Sequence, residues 1–232
     1  MTSGQASEKA QLPAIMCRAF GDITEFKLDE MERYRDSVED FLDSEADEIR
    51  EKAQQAVDSA PDQTADEIAD IHRYRIEQME EVFPSLLRES VFVTLYALLE
   101  SELNQLCYLF DKHANHAMEL EDVSGSGIFR AKKYLIKVAG MDFPSRNPDW
   151  GDIRNYNRIR NCIMHSQGSI REASNKLNNY IYNHSELSTD DHGNIEMKKR
   201  FVSKAIGNIK ELFKEISEEL QDNHSNSAWS SI

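Results

Sequence analysis

An all-α fold is what this sequence predicts, on three observations. The 232 residues include only 9 Gly and 5 Pro, so helix breakers are scarce for the length. Strong helix formers (Glu, Lys, Ala, Leu, Gln) recur in long uninterrupted runs. Apolar residues return every three or four positions through most of the chain, the period of an amphipathic helix. At 40% hydrophobic residues the chain can fill a core. The expected architecture is an up-and-down helical bundle with a long N-terminal helical hairpin.

The elements follow in chain order. Residues 1–7 are polar and small, and are expected to be disordered. Residues 8–84 form an acidic helical arm. Within it, Met31, Tyr34, Val38, Phe41/Leu42, Ile49, Ala53 and Val57 carry helical spacing over residues 25–59, until Pro61 interrupts. Ile68, Ile71, Met79, Val82 and Phe83 mark a second helix from about Asp62, with a kink or break expected at Pro84. A domain over residues 85–222 follows. Its central helix, residues 85–110, is apolar on nearly all sides and should be buried, with Glu100 and Glu102 as interruptions. After a Ser/Gly link, a helix is expected over residues 128–139, ended by Gly140. Another runs over 150–166 with Asp149 as N-cap and Gly168 as its stop. The segment "REASNKLNNYIYN" reads as a short helix. "ELSTDDHGNIEM" is compatible with either a loop or a minimal β-hairpin. The last helix, residues 197–221, presents Phe201, Ala205, Ile209, Leu212, Ile216 and Leu220 as one stripe. Residues 223–232 read as a flexible tail in which Trp229 is the one large apolar residue.

Charge is unevenly distributed. The formal net charge of −15 argues against a protein that coats nucleic acid generally, because phosphate contacts need Lys and Arg. Yet Asp22 to Val82 holds 21 acidic and 7 basic residues, whereas Ser126 to Arg171 holds 9 basic and 3 acidic. An acidic arm is thus set beside a basic patch. The three cysteines, Cys17, Cys107 and Cys162, are far apart and form no paired motif, which fits a reducing cytoplasm and suggests neither disulfides nor a zinc knuckle. The N-terminus has no signal-peptide pattern. The longest apolar run, Val91 to Leu99, is too short on its own to span a bilayer, so a cytoplasmic protein without a membrane partner is expected.

The basic patch centres on "IRNYNRIRNCIMHSQG". Arg154, Arg158, Asn161 and His165 are spaced by four, three and four, which lines them up as one polar stripe. Ile153, Tyr156, Ile159 and Ile163 supply the packed side. An imidazole titrates near neutrality and can relay a proton, while a guanidinium clamps phosphate oxygens as charge develops. Arg160 is five residues from His165, about 140° around the helix. The pair therefore meets only if the Arg reaches round or if two copies contribute one residue each. The same residues are compatible with a plain solvated helix face.

"RNCIMH" (Arg160 to His165) resembles the Arg, polar residue, then His motif of the HEPN superfamily. "YALLESELNQL" and "WGDIRNYNRIRNCIMHSQGSI" resemble its core and motif helices, and the likeness extends over about residues 85–220. The resemblance implies a homodimer with facing motif helices and a composite cleft, and RNA cleavage without a metal or other cofactor, the ribose 2′-hydroxyl being the nucleophile. On that implication Arg160 and His165 are catalytic and Asn161 orients the His or the phosphate. Arg154, Arg158, Lys132 and Lys133 would bind RNA. It also implies a role in defence or stress response, with an antitoxin or defence-complex protein as a further partner. In members paired with a nucleotidyltransferase antitoxin a tyrosine stands two residues after the His; Gln167 stands there here, which puts that mode of control in doubt. Other members bind RNA, nucleotides or partner proteins without chemistry, so a non-catalytic binding subunit is the rival reading.

Three further features complete the expectations. Glu100 on an apolar helix should be paired, with Arg158 or Arg160. Asp111, His113 and His116 could form part of a metal site but lack a completing ligand cluster, so they read as surface residues and no metal is expected. "SGSG" before Lys132 and Lys133 lacks the full phosphate-loop pattern and reads as a loop. The acidic arm is either a helical hairpin packed on the domain or a shield over a basic cleft.

Overall fold

A computed structural model describes residues 12–59, 61–113, 118–144 and 149–228. The expectations for residues 1–7, for His116 and for Trp229 fall outside the described residues. The fold is all-α with one small sheet. Its helices are α1 (Ala14–Ser59), α2 (Asp62–Glu77), α3 (Phe83–His113), α4 (Gly127–Lys137), α5 (Asp149–Ser166), α6 (Asn175–Tyr182) and α7 (Lys199–Ala228). Strands β1 (Leu187–Thr189) and β2 (Ile195–Met197) pair antiparallel, Ser188 opposite Glu196, so the hairpin alternative is the one adopted.

The structure differs from expectation in four respects. α1 begins at Ala14 rather than near residue 25, because Cys17, Phe20, Thr24 and Leu28 extend its buried face toward the N-terminus. Pro84 does not break its helix. A π-helical turn over Gln78–Val82 runs directly into α3, and Pro84 is its second residue, buried. The π-helical turn already shifts the hydrogen-bond ladder just before Pro84, so the missing N–H of proline is accommodated there. α7 starts only after β2 and continues through Ala228, so the backbone of most of the expected tail is helical. The apolar length of α3 was also understated by its nine-residue run. The continuous helix 66–113 holds an 18-residue window of mean hydropathy 1.4, enough by length and composition to cross a membrane, with 39% of that window buried within the chain.

The chain divides into two compact units. The first comprises Met1–Asp29, Thr94–Arg158 and Ala205–Ile232. Its core is built on the stretch of α3 from Leu95 through Leu99, Leu103, Leu106 and Cys107 to Phe110, with Ile128, Ala131 and Leu135 of α4 and Ile206, Ile209 and Ile216 of α7 also buried. Phe20 meets Phe213 edge to face at 6.1 Å. Glu102, only 4% exposed, is satisfied by Lys27 Nζ at 2.7 Å and by the Thr24 hydroxyl at 3.2 Å. A buried carboxylate requires such partners.

The second unit comprises Glu30–Val93 and Ile159–Lys204. Here the buried stripe of α1 is not the one that apolar spacing suggests. Leu42, Ala46 and Ile49 are buried, but so are Arg35 and Glu39, each 3% exposed, whereas Tyr34 and Phe41 are 58% and 59% exposed. Arg88 of α3 explains the burial of Glu39, because its Nε and Nη2 each donate to that carboxylate at 2.8 Å, while Arg35 donates to Asp36 at 2.8 Å. A bidentate guanidinium–carboxylate pair tolerates burial where a lone charge would not. Phe92 and Phe201 pack at 5.6 Å, and His184 lies edge-on to Phe201 at 5.2 Å, fixing the segment that leads into the hairpin. All three cysteines are free and buried.

Candidate functional site

Helix α5 carries the candidate residues. Through Arg158 it belongs to the first unit, where Trp150, Ile153 and Tyr156 are buried. The Tyr156 hydroxyl accepts from Asn208 at 2.9 Å, and Asn157 donates to the hydroxyl of Tyr96. These bonds fix the rotation of the helix about its axis, because buried polar groups hold their partners in one geometry. Asp149 is the first helical residue rather than the cap before it. Arg154 is exposed, and the half-buried Arg158 donates to Asn155 one turn back.

Arg160, Asn161 and His165 belong to the second unit. Ile159 and Cys162 are buried, Arg160 and Asn161 are half-buried, and Met164 and His165 are exposed. The Arg160 guanidinium does not extend away from the stripe. Its Nη1 donates to Asn161 Oδ1 at 3.0 Å. Asn161 and His165 are four residues apart, hence neighbours on one face of the helix. The long Arg side chain is therefore turned toward the face that Asn161 shares with His165. The His165 side chain makes no hydrogen bond among the described residues.

The end of α5 is strongly defined. Gln167 (φ 52°) and Gly168 (φ 80°) both take left-handed backbone, and the Gly168 N–H bonds the Cys162 carbonyl at 3.2 Å. Left-handed backbone just past the last turn ends the helix, and glycine takes it without strain. The chain then joins the hairpin. Ile195 N donates to Gly168 O at 3.0 Å, Ile170 N to Gly193 O at 2.9 Å, and Ser169 bridges Asn194. The hairpin turn is held by Asp190, whose carboxylate accepts from the backbone N–H groups of His192 and Asn194, each at 2.8 Å. The bond from the Asn194 backbone, foremost, keeps the Asp190 carboxyl below its ordinary range. The orientation of the turn carrying His165 thus depends on Gly168, Ser169 and Asp190, which residue spacing around the motif did not single out.

The remaining candidates lie in the first unit. Lys133 donates to Ser124 Oγ, tying α4 to the loop before it. Lys132 places its ammonium 4.0 Å from the centre of the Trp150 ring and 5.2 Å from that of Phe143. Burial, and next the charge of Arg154, push its pKa down to about 8. Glu100 does not form the expected ion pair with Arg158 or Arg160. It lies beside the start of α4, its Oε1 3.4 Å from where a Cβ on Gly127 would stand, and a helix N-terminus suits a carboxylate. The acid that needed a partner is Glu102, placed on the same buried face as Leu95, Leu99 and Leu106. Among the described residues no group of three His, Cys, Asp or Glu side chains converges as metal ligands would.

Neither the known family models, nor the curated proteins, nor the solved structures contain a match to this chain.

Proposed function

We propose that the chain is an endoribonuclease of HEPN type whose active site is completed when two copies bring their α5 helices together. The observation that carries this reading is the Arg160–Asn161 hydrogen bond, which directs a guanidinium toward the face where His165 is exposed. His165 would take the proton of a ribose 2′-hydroxyl, whose oxygen then attacks the adjacent phosphorus. The 5′-oxygen leaves and acquires a proton, and a 2′,3′-cyclic phosphate remains. Arg160 would neutralise charge developing on the phosphate oxygens, and Asn161 would act as a positioning residue. Arg154 and Arg158 would hold flanking phosphates. The exposed Met164 beside His165 offers an apolar contact for a second copy.

One observation favours a second reading, that of a non-catalytic RNA-binding subunit. Among the described residues no hydrogen bond fixes the tautomer or orientation of His165, as would be expected for a preorganised general base. One experiment separates the two. Purified protein is incubated with structured and unstructured RNA in EDTA, and product ends are analysed. The nuclease reading predicts fragments ending in cyclic phosphate and intact DNA, which lacks the 2′-hydroxyl. RNA retention without cleavage would establish the binding subunit instead.

A further inference from the structure

Helix α4 is basic in a chain of net charge −15. Its sequence, GIFRAKKYLIK, holds Arg130, Lys132, Lys133 and Lys137 and no acid. Ile128, Ala131, Tyr134 and Leu135 are buried, while Phe129, Lys133 and Lys137 are exposed at spacings of four, which makes them one outward stripe. Phe129 is 42% exposed, yet its ring is held: it meets Trp150 edge to face at 6.3 Å, and Trp150 meets Phe143 at 5.3 Å. Edge-to-face contacts fix ring orientation. Trp150 and Phe143 are buried, so of three clustered rings one is left in water. Cations flank this cluster. Lys132 places its ammonium 4.0 Å from the centre of the Trp150 ring, and Arg154 stands one turn along α5 from Trp150, a neighbour on the same helix face. Burial and the charge of Arg154 both work against the Lys132 ammonium. Among the described residues none of Lys132, Lys137 and Arg154 forms an ion pair. Like charges brought together cost free energy that an anion beside them returns.

An exposed, fixed ring among cations without carboxylate partners suits a single strand of nucleic acid. The ring offers a face on which an unpaired base stacks, and the cations take the phosphates beside that base. We infer that Phe129 is the stacking platform for an unpaired base of the RNA substrate, with Lys132 and Arg154 on the adjoining phosphates. An acidic peptide would use the cations and leave the ring unused. A duplex would keep its base faces inside its own stack. Every base has a face to stack, so the platform selects single strands over duplexes and not one sequence over another. The inference rests on the reading that RNA is the substrate, but not on cleavage by His165.

The test uses the full chain and a fluorescein-labelled 2′-O-methyl RNA oligonucleotide of mixed sequence, which lacks the nucleophile and so reports binding without cleavage. Fluorescence anisotropy should show the single strand bound at least about tenfold more tightly than the same strand annealed to its complement. Phe129→Leu keeps apolar bulk against Trp150, so its melting curve should match the parent's. It should nevertheless weaken single-strand binding at least about fivefold, with an unchanged salt dependence, because a ring and not a charge is lost. Phe129→Tyr, which restores the ring, should recover the parental affinity. Lys132→Met should instead lower the slope of log affinity against log salt by about 0.7. A loss below fivefold in Phe129→Leu would overturn the platform, as would Phe129→Tyr binding as weakly as Phe129→Leu, the duplex bound as tightly as the single strand, an oligoglutamate bound as tightly as the RNA, or no RNA binding at all. Cleavage of unmodified RNA by the parent is followed in parallel. Cyclic-phosphate products with binding unaffected by Phe129→Leu would sink the platform and leave the nuclease reading standing. Binding that depends on the ring without any cleavage would do the reverse.

Discussion

Replacing Lys132 by methionine should stabilise the protein at neutral pH, which is unusual for removing a surface-region charge. The substitution keeps the apolar stem against Trp150 and Phe143 and removes only the ammonium. Burial, then the repulsion from Arg154, lowers the Lys132 pKa from 10.5 to about 8. At 1.36 kcal/mol per pH unit that displacement corresponds to at most about 3.4 kcal/mol. Solvent around the half-buried head reduces it to about 1–2 kcal/mol, and attraction of the cation to the indole returns about 0.5–1 kcal/mol. A net gain of about 1 kcal/mol for Lys132→Met is expected below pH 8, where the lysine is charged in both folded and unfolded chains. Between pH 8 and 10.5 the folded lysine has lost its proton while the unfolded one retains it. The parent therefore recovers stability as pH rises, and the difference closes. Urea unfolding of both proteins at several pH values, with equal slopes on denaturant, measures this directly. A variant less stable than the parent at pH 7, or a difference constant from pH 7.5 to 10, would show that the aromatic contact outweighs burial and would refute the reasoning.

Three other outcomes are expected. Lys27→Met leaves the buried Glu102 carboxylate, among the described residues, with only the Thr24 hydroxyl and should cost about 1–3 kcal/mol in urea unfolding, less than the loss of a fully buried partner because Lys27 is at the surface. The double variant Lys27→Met, Glu102→Met should recover most of that loss. Gly168→Ala meets no atom closer than 3.7 Å, so its cost is the strain of φ +80° alone, about 1–2 kcal/mol, read as a drop in Tm of about 2–4 °C per kcal/mol. Arg154→Ala, if the exposed arginine contacts phosphate, should lower the slope of log affinity for single-stranded RNA against log salt by about 0.7. An unchanged slope would remove Arg154 from the RNA surface.

Much of the fold was legible because its signals are periodic and local. The stripe from Phe201 to Leu220 is buried in α7, and the apolar α3 is buried along Leu95, Leu99, Leu103 and Leu106. Gly140 and Gly168 end their helices with positive φ, as glycine stops do. What failed depended on partners distant in sequence. Apolar spacing alone put Tyr34 and Phe41 on the packed side of α1, whereas the buried side carries Arg35 and Glu39, and Glu39 is tolerated only because Arg88 stands 49 residues later. Both Glu100 and Glu102 interrupt the apolar run, and the helical spacing from Leu95 and Leu99 places Glu102 on the buried face. At the candidate site, the Asn161–His165 stripe followed from spacing. The turn of Arg160 onto Asn161 is a rotamer choice that spacing cannot specify. The anchoring of the helix end by β2 needed the hairpin, a long-range pairing.

The central claim is that Arg160 and His165 act on one phosphodiester. Its most direct test is the single-turnover rate of cyclic-phosphate formation from a labelled RNA by the parent, Arg160→Ala and His165→Ala, alongside circular dichroism and oligomeric state. The account predicts a rate loss of at least about 10² in each variant, with fold and dimer retained. Cleavage at the parental rate by both variants would contradict it.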